Sequence, residues 1–310
     1  MLIANPIYDV VFKYLMEDKE IAKGLISSII GEEIIELTLR PQESSTRSEQ
    51  FDIIIFRLDF HAVIKTKVGK HKKILIELQK SKNLADIMRF RRYLGESYQR
   101  ADEIGTGENK EKIPLPIIPI YFLGFKLRNV PTAVLRVNRQ YVDLLHNRTL
   151  NAEEAFIEKL SHDSFVIQIP RLTRGVQTAL EWVLTIFNQS YVTQDSKMLE
   201  VSSKEIGKNE LLSKMVARLR MAVSEPEILK GILLEEEVES IIKKHIREKQ
   251  ELAETNKEQE DIIKEKDHTI KEQDKALKEK DDALKERDDA LKEKDRLIEE
   301  LMKKLADKDE

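Results

Sequence analysis

The chain has 310 residues, 41% hydrophobic and 35% charged, with no cysteine and a formal net charge of −4 at pH 7. That length holds one large domain or two ordinary ones, and the lack of cysteine excludes thiolate zinc sites, disulfide frameworks and cysteine nucleophiles, as suits a reducing compartment. No apolar run approaches the roughly 20 residues of a membrane span, and residues 1–6 lack a basic stretch followed by an apolar one, so a soluble cytoplasmic protein with no membrane partner is expected.

The charge is unevenly spread. Residues 251–310 hold 15 Lys+Arg and 22 Asp+Glu, residues 1–250 hold 38 and 35, so the tail carries −7 and the rest +3. A nucleic-acid enzyme needs a local basic surface and not a high global charge, so +3 excludes nothing.

In chain order, Asn5-Pro6 predicts a helix start, followed by apolar residues at helical spacing, Val10, Val11, Tyr14 and Leu15. Asp18 is placed to cap a second helix running through Ile21, Leu25 and Ile29 to Gly31. Residues 34–39 read as a strand, ended by Pro41 and the polar run 43–50. Two β-prone runs follow, 53–64 and 74–78, joined by a polar turn around Gly69. Alternation divides the first into an apolar face (Ile54, Phe56, Leu58, Phe60, Ala62, Ile64) and a face carrying Arg57, Asp59 and His61. In the second, Glu77 and Gln79 share one face while Leu78 and Lys80 take the other.

Residues 84–100 have the period of an amphipathic helix, and Gly105-Thr106-Gly107 marks a loop. Residues 113–125, punctuated by Pro114, Pro116 and Pro119, read as a buried or edge strand in two pieces. Short strands are expected at 133–137 and 165–169, then a helix at 175–187 with Trp182 buried. This order predicts an α/β fold with one mixed sheet. Leu211, Leu212, Met215, Val216 and Leu219 form an apolar helix face that docks back or pairs with another copy. In the tail, Ile263, Ile270, Leu277, Leu284, Leu291, Ile298 and Leu305 recur every seventh residue, but with leucine at one seam position the other is mostly aspartate (Asp274, Asp281, Asp288). Pairs such as Asp281 with Lys285 support the helix by about 0.2–0.5 kcal/mol each. The tail therefore reads as a weak coiled coil, and so a homo-oligomer contact, or as a lone charged helix.

The chemistry centres on Asp59, Glu77 and Gln79. Asp59 and Glu77 share a face of a hairpin only if paired residue numbers sum to an even number, which requires an odd number of loop residues. Two carboxylates at cross-strand distance repel unless something positive lies between them, and a magnesium ion held by one or two carboxylates answers that need. The segments Asn5-Pro6-Ile7-Tyr8-Asp9-Val10-Val11-Phe12-Lys13, Arg57-Leu58-Asp59-Phe60, Ile76-Glu77-Leu78-Gln79-Lys80 and Ile87-Met88-Arg89-Phe90-Arg91-Arg92-Tyr93-Leu94 together resemble the PD-(D/E)xK nuclease superfamily. They are most similar to its Rpn-like recombination-promoting branch, also described as PD-(D/E)xK nuclease family transposases.

The resemblance covers residues 1–200 and implies a restriction-endonuclease-like core, Mg2+-dependent cleavage of DNA, metal binding by Asp59 and Glu77, a third metal ligand at Asp9, and a role in recombination or mobile elements. Gln79 stands where the superfamily's lysine would be and cannot carry its charge; it suits orienting water or contacting phosphate. Asp9 equally suits a first-turn acid favoured by the helix dipole. Lys13, Lys80, Arg89, Arg91 and Arg92 are candidate DNA-phosphate contacts, the arginines because a guanidinium matches phosphate bidentately. No Walker-type loop occurs, so no nucleotide cofactor is expected. The expected organisation is a nuclease-like domain at 1–200, a helical connector at 201–250 and a charged heptad helix at 251–310. The rival expectation is an inactive nuclease-fold DNA-binding or assembly module that uses the tail for interaction.

Overall fold

The computed structural model describes residues 1–40, 45–47, 54–56, 60–80, 84–105, 110–173, 178–202, 206–207 and 209–306, with the backbone alone at 45–47, 54–56, 84–86, 89 and 303–306. Strand β1 (Leu2–Ala4) leads into helices α1 (Asp9–Met16) and α2 (Lys19–Ile30), then β2 (Ile34–Leu39), β3 (Ser45–Arg47), β4 (Ile54–Phe56), β5 (Phe60–Thr66) and β6 (His71–Gln79). Helix α3 (Leu84–Gln99) precedes β7 (Asp102–Ile104), β8 (Glu111–Ile113), β9 (Ile117–Leu123), β10 (Val134–Val137), β11 (Tyr141–Asp143) and β12 (Arg148–Leu150). The chain continues through α4 (Ala155–Leu160), β13 (Ser164–Gln168), α5 (Ala179–Leu184), β14 (Met198–Glu200), α6 (Glu210–Ala222) and α7 (Pro226–Ala306).

The fold is α/β around a six-stranded mixed sheet of order β10-β13-β9-β6-β5-β2. β9 runs parallel to both β6 and β13, and the other pairs are antiparallel. Phe60, Ala62 and Ile64 of β5, Ile74 and Ile76 of β6 and Ile118, Ile120 and Phe122 of β9 give one face to the main core, with side chains from α1, α2, α5, α6 and the first turns of α7. Phe12 and Phe187 close on Phe122, with ring centroids 5.8 and 4.8 Å away.

The second helix matches its sequence signals. Asp18 accepts from the Glu20 and Ile21 N–H groups, and Gly31 ends the helix in the left-handed region at φ 72°. The first helix begins later than Asn5-Pro6 predicted. Asn5 is buried, its Oδ1 accepts from the Ile7 N–H at 3.2 Å, and its amide donates to Gln189 Oε1 and Ser196 O, both at 2.9 Å. The residue thus makes a turn that ties β1 to the β14 region, and α1 opens at Asp9.

Within 53–64 the described residues fall in two sheets. β4 pairs with β3 in a separate two-stranded sheet, β5 joins the main sheet, and residues 57–59, Asp59 among them, lie outside the described residues. Within 113–125, β9 is a central strand despite Pro119. The Pro116 carbonyl and the Gly124 N–H both bond to β6, so even-numbered positions of β9 address β6 and odd-numbered ones β13. Pairing with β13 starts at Ile120, so an N–H at position 119 would have had no partner there. The helix expected at 175–187 is shorter: a capping box of Thr178 and Glu181 starts α5, a 3-10 turn at Thr185–Phe187 completes it, and Trp182 is only partly buried.

One compact unit spans Met1–Glu237, beyond the boundary expected at 200, and a second spans Val238–Glu310. Of the two readings of the 211–219 stripe, docking back is the one observed, since Leu212, Met215, Val216 and Leu219 lie in the main core. The second unit is helical from 238 to 306, with every side chain from 251 to 302 exposed.

Candidate functional site

β5 and β6 form an antiparallel hairpin in which paired numbers sum to 136, from Phe60 with Ile76 to Lys65 with His71. The sum is even, the parity that a shared face for positions 59 and 77 requires. The turn explains it. Thr66 N–H bonds to Lys70 O and Gly69 N–H to Thr66 O, leaving a three-residue loop closed by Gly69 at φ 84°.

Glu77 and Gln79 lie at the C-terminal end of β6 on the face turned away from the main core. Their exposures are 1% and 8%. The register sets Glu77 beside Tyr121 and Gln79 beside Leu123 of β9. Helix α3 packs over this face, with Phe90 edge-on to Tyr121 at 4.7 Å between centroids. Burial, with Glu77 and Tyr98 nearby, pushes the Tyr121 phenol up, so it stays protonated and able to donate a hydrogen bond. The Gln79 amide nitrogen is buried and meets no hydrogen-bond partner among the described residues. β6, β9 and β13 all run parallel here, and the carboxyl ends of parallel strands are where open α/β sheets form binding crevices.

Further down the same face, Lys73 pairs with Asp102 at 2.7 Å, both buried, and donates to Ser97 O at 2.9 Å, satisfying a carbonyl in the last turn of α3. His61 lies opposite Leu75. Burial first, then the charges of Lys73, Arg40 and Arg100, lower its pKa to about 4, so the imidazole is neutral near pH 7.

Asp9, Lys13 and Lys80 belong to a different group. Asp9 pairs with Lys13 at 2.8 Å, and its N–H, at the start of α1, donates to the Glu235 carboxylate at 3.0 Å. Lys80 bonds to Glu235 at 2.6 Å with its ammonium 4.1 Å from the Tyr8 ring centroid, and the Tyr8 hydroxyl donates to Glu236 at 2.7 Å. Burial raises the Glu235 carboxyl above its ordinary range, with Lys80 opposing that shift. Alternation puts Lys80 on the side of the sheet opposite Gln79, where α1 packs. The described ion pairs and hydrogen bonds of Asp9, Lys13 and Lys80 thus group these three residues with Glu235 at the start of α1.

Arg91 and Arg92 are exposed on α3, Arg89 lies on the same helix with its side chain outside the described atoms, and Asp59 lies outside the described residues. Tyr121 and Lys73 were not singled out from the sequence. Tyr121 was findable, being out of phase with Ile118, Ile120 and Phe122 along β9. Lys73 was not, because its acid partner comes from a hairpin after α3.

Among the described residues no group of three or more His, Asp or Glu side chains is arranged to hold a metal, and no helix is long and apolar enough to cross a membrane. The chain matches no protein-family model, no curated protein and no solved structure.

Proposed function

We propose that this chain is a metal-dependent DNA endonuclease with a restriction-endonuclease-like core, in which Asp59 and Glu77 hold one magnesium or similar divalent ion. The observation that carries the reading is the hairpin register. Its described pairs sum to an even number, the parity that a shared face for Asp59 and Glu77 requires, with Asp59 itself outside the described residues. Two carboxylates completed by phosphate and water oxygens are a donor set that suits a hard cation.

When bound, such an ion stabilises charge on the scissile phosphate and acidifies a coordinated water. The protein's own groups position the rest. The Gln79 amide holds a water or a phosphate oxygen without adding charge, and the Tyr121 phenol, protonated, donates beside Glu77. Arg91 and Arg92 on α3 bind backbone phosphates and set the orientation of the duplex. Lys13, Lys80 and Asp9 stabilise the fold at the start of α1. The resemblance of the motif segments extends the reading to recombination or mobile-element DNA.

The test is nicking of supercoiled plasmid with magnesium, with and without chelator, by the wild type, Asp59→Asn and Glu77→Gln. The expected result is cleavage lost to chelator and reduced by roughly 100-fold or more in each variant. Chelator-insensitive nicking, or full activity in either variant, sinks the proposal. One observation favours the inactive-module reading, namely the packing of Phe90 on Tyr121 over this face. That reading expects plasmid binding without nicking under every condition.

A further inference from the structure

Helix α4 is built inside out. Its Phe156, Ile157 and Leu160 are exposed, Phe156 at 70%, and none of its residues is buried. Its charged Glu158 instead turns inward, bonding to Arg139 at 2.5 Å and to the Tyr141 hydroxyl at 2.9 Å. The Tyr141 oxygen also accepts the Glu154 N–H at 3.2 Å, which clasps α4 to the β11–β12 hairpin. At the tip of that hairpin Leu144 and Leu145 are 87% and 91% exposed. A surface helix normally presents the opposite arrangement, with apolar residues inward and charges in water.

Val137 at the end of β10 is 50% exposed as well, so large apolar side chains are left to water repeatedly between 137 and 160, where a monomer's surface normally carries them singly. They adjoin an open sheet edge. β10 is the last strand of the sheet, and among the described residues nothing pairs with its outer side. The opposite edge is protected, since β2 is bulged between Ile34 and Glu36 and carries a Glu36–Lys65 ion pair. β10 carries an ion pair of its own, Arg136 with Asp163, but its pairing with β13 has no bulge.

We infer that the β10 edge, the β11–β12 hairpin and the outer face of α4 form an interface with a second copy of this chain. Charge decides for a copy over a nucleic acid. Residues 134–160 carry four basic side chains (Arg136, Arg139, Arg148, Lys159) and four acidic ones (Asp143, Glu153, Glu154, Glu158), so two such surfaces do not repel, and a polyanion gains nothing there. Most of these charges are already neutralised within the protomer. Arg136 pairs with Asp163 at 2.7 Å, Arg148 with Asp143 at 3.3 Å, and Lys70 with Glu153. Covering the apolar residues therefore strips little water from unpaired ions. An antiparallel edge strand placed on a two-fold axis is also complementary to itself, and the edge and the apolar side chains together are the kind of surface that an interface of roughly 800 Å² per partner draws on.

The inference is independent of the nuclease reading and is tested on the full chain by sedimentation. Leu277→Lys with Leu284→Lys first removes any association through the tail. This variant is expected to remain a dimer at micromolar concentration. Adding Leu145→Glu with Phe156→Glu is expected to raise the dimer dissociation constant by roughly 100-fold or more, with unchanged circular dichroism because both side chains are exposed. A tail variant that is already monomeric, whatever other protein or nucleic acid then covers the patch, overturns the inference. So does a patch variant that associates as before.

Discussion

Tyr98 and His162 meet with the phenol oxygen and Nδ1 2.6 Å apart. Burial first, then the Arg139 charge, lowers the His162 pKa below its ordinary 6.5, while burial raises that of Tyr98. The phenol therefore donates to an unprotonated imidazole. A base with a depressed folded-state pKa takes up its proton more readily when unfolded. The stability it contributes is thus complete above 6.5 and is lost as the pH falls through the folded value. NMR titration should place His162 below a free histidine. The chemical-denaturation midpoint should drop between about pH 7.5 and about pH 5.5 by more in the wild type than in His162→Gln, which keeps an acceptor but no titrating group. An unshifted His162 would contradict this account. This pair joins two distant segments and was not legible in the sequence, whereas the shared face of Glu77 and Gln79 was, because a period of two needs no tertiary information. The burial of Glu77 and Gln79 was not legible, because α3 and Tyr121 reach that face from elsewhere in the chain.

Among the elements, α2 was fully legible because chemistry marks both its ends, Asp18 and Gly31, whereas α1 was displaced because the Asn5 side chain bonds to Gln189 and Ser196, nearly two hundred residues away in the chain. Connections of that range are invisible to local pattern. Gly124, just past β9, is another such case. A Cβ there would lie 2.7 Å from the Lys80 carbonyl oxygen and 2.9 Å from its Cα, while the Gly124 N–H donates to Gln79 O at 2.8 Å. These neighbours are backbone and cannot rotate away. Gly124→Ala should therefore push β6 and β9 apart where Gln79 and Lys80 diverge to opposite faces, at a cost of about 1–3 kcal/mol. Gly95, in α3, is the matched control, since nothing lies within 4 Å of its added Cβ. Gly95→Ala should stabilise by about 0.5–1 kcal/mol through helix propensity. Denaturant midpoints moving in the same direction for both variants would show that the close approach is not what holds this crossing.

The division of the whole chain was the least legible feature. Composition turns helical and charged near residue 200, yet the compact unit continues to Glu237. The shift in composition records only the exposed faces of α6 and the start of α7. Their inner faces, Leu212, Met215, Val216 and Leu219, then Ile228 and Ile232, are a sparse stripe that completes the core over α1 and α2. Glu235 adds the bond to Lys80 and the cap on α1. By contrast, the heptad residues Leu277 and Leu284 are 64% and 61% exposed, and one apolar residue per seven supplies too little area to anchor anything tightly. Truncation separates these roles. A chain ending at residue 250 should unfold with the midpoint of the full-length protein. A chain ending at residue 225 lacks Ile228, Ile232 and Glu235 and should lose about 4 kcal/mol or more, and one ending at 200 should not fold cooperatively, because α6 no longer covers the core. Urea titrations of the three chains measure this directly. If the chain ending at 225 keeps the full midpoint, the start of α7 is not part of the core. If the chain ending at 250 loses stability, residues 251–310 contribute to folding despite their exposure.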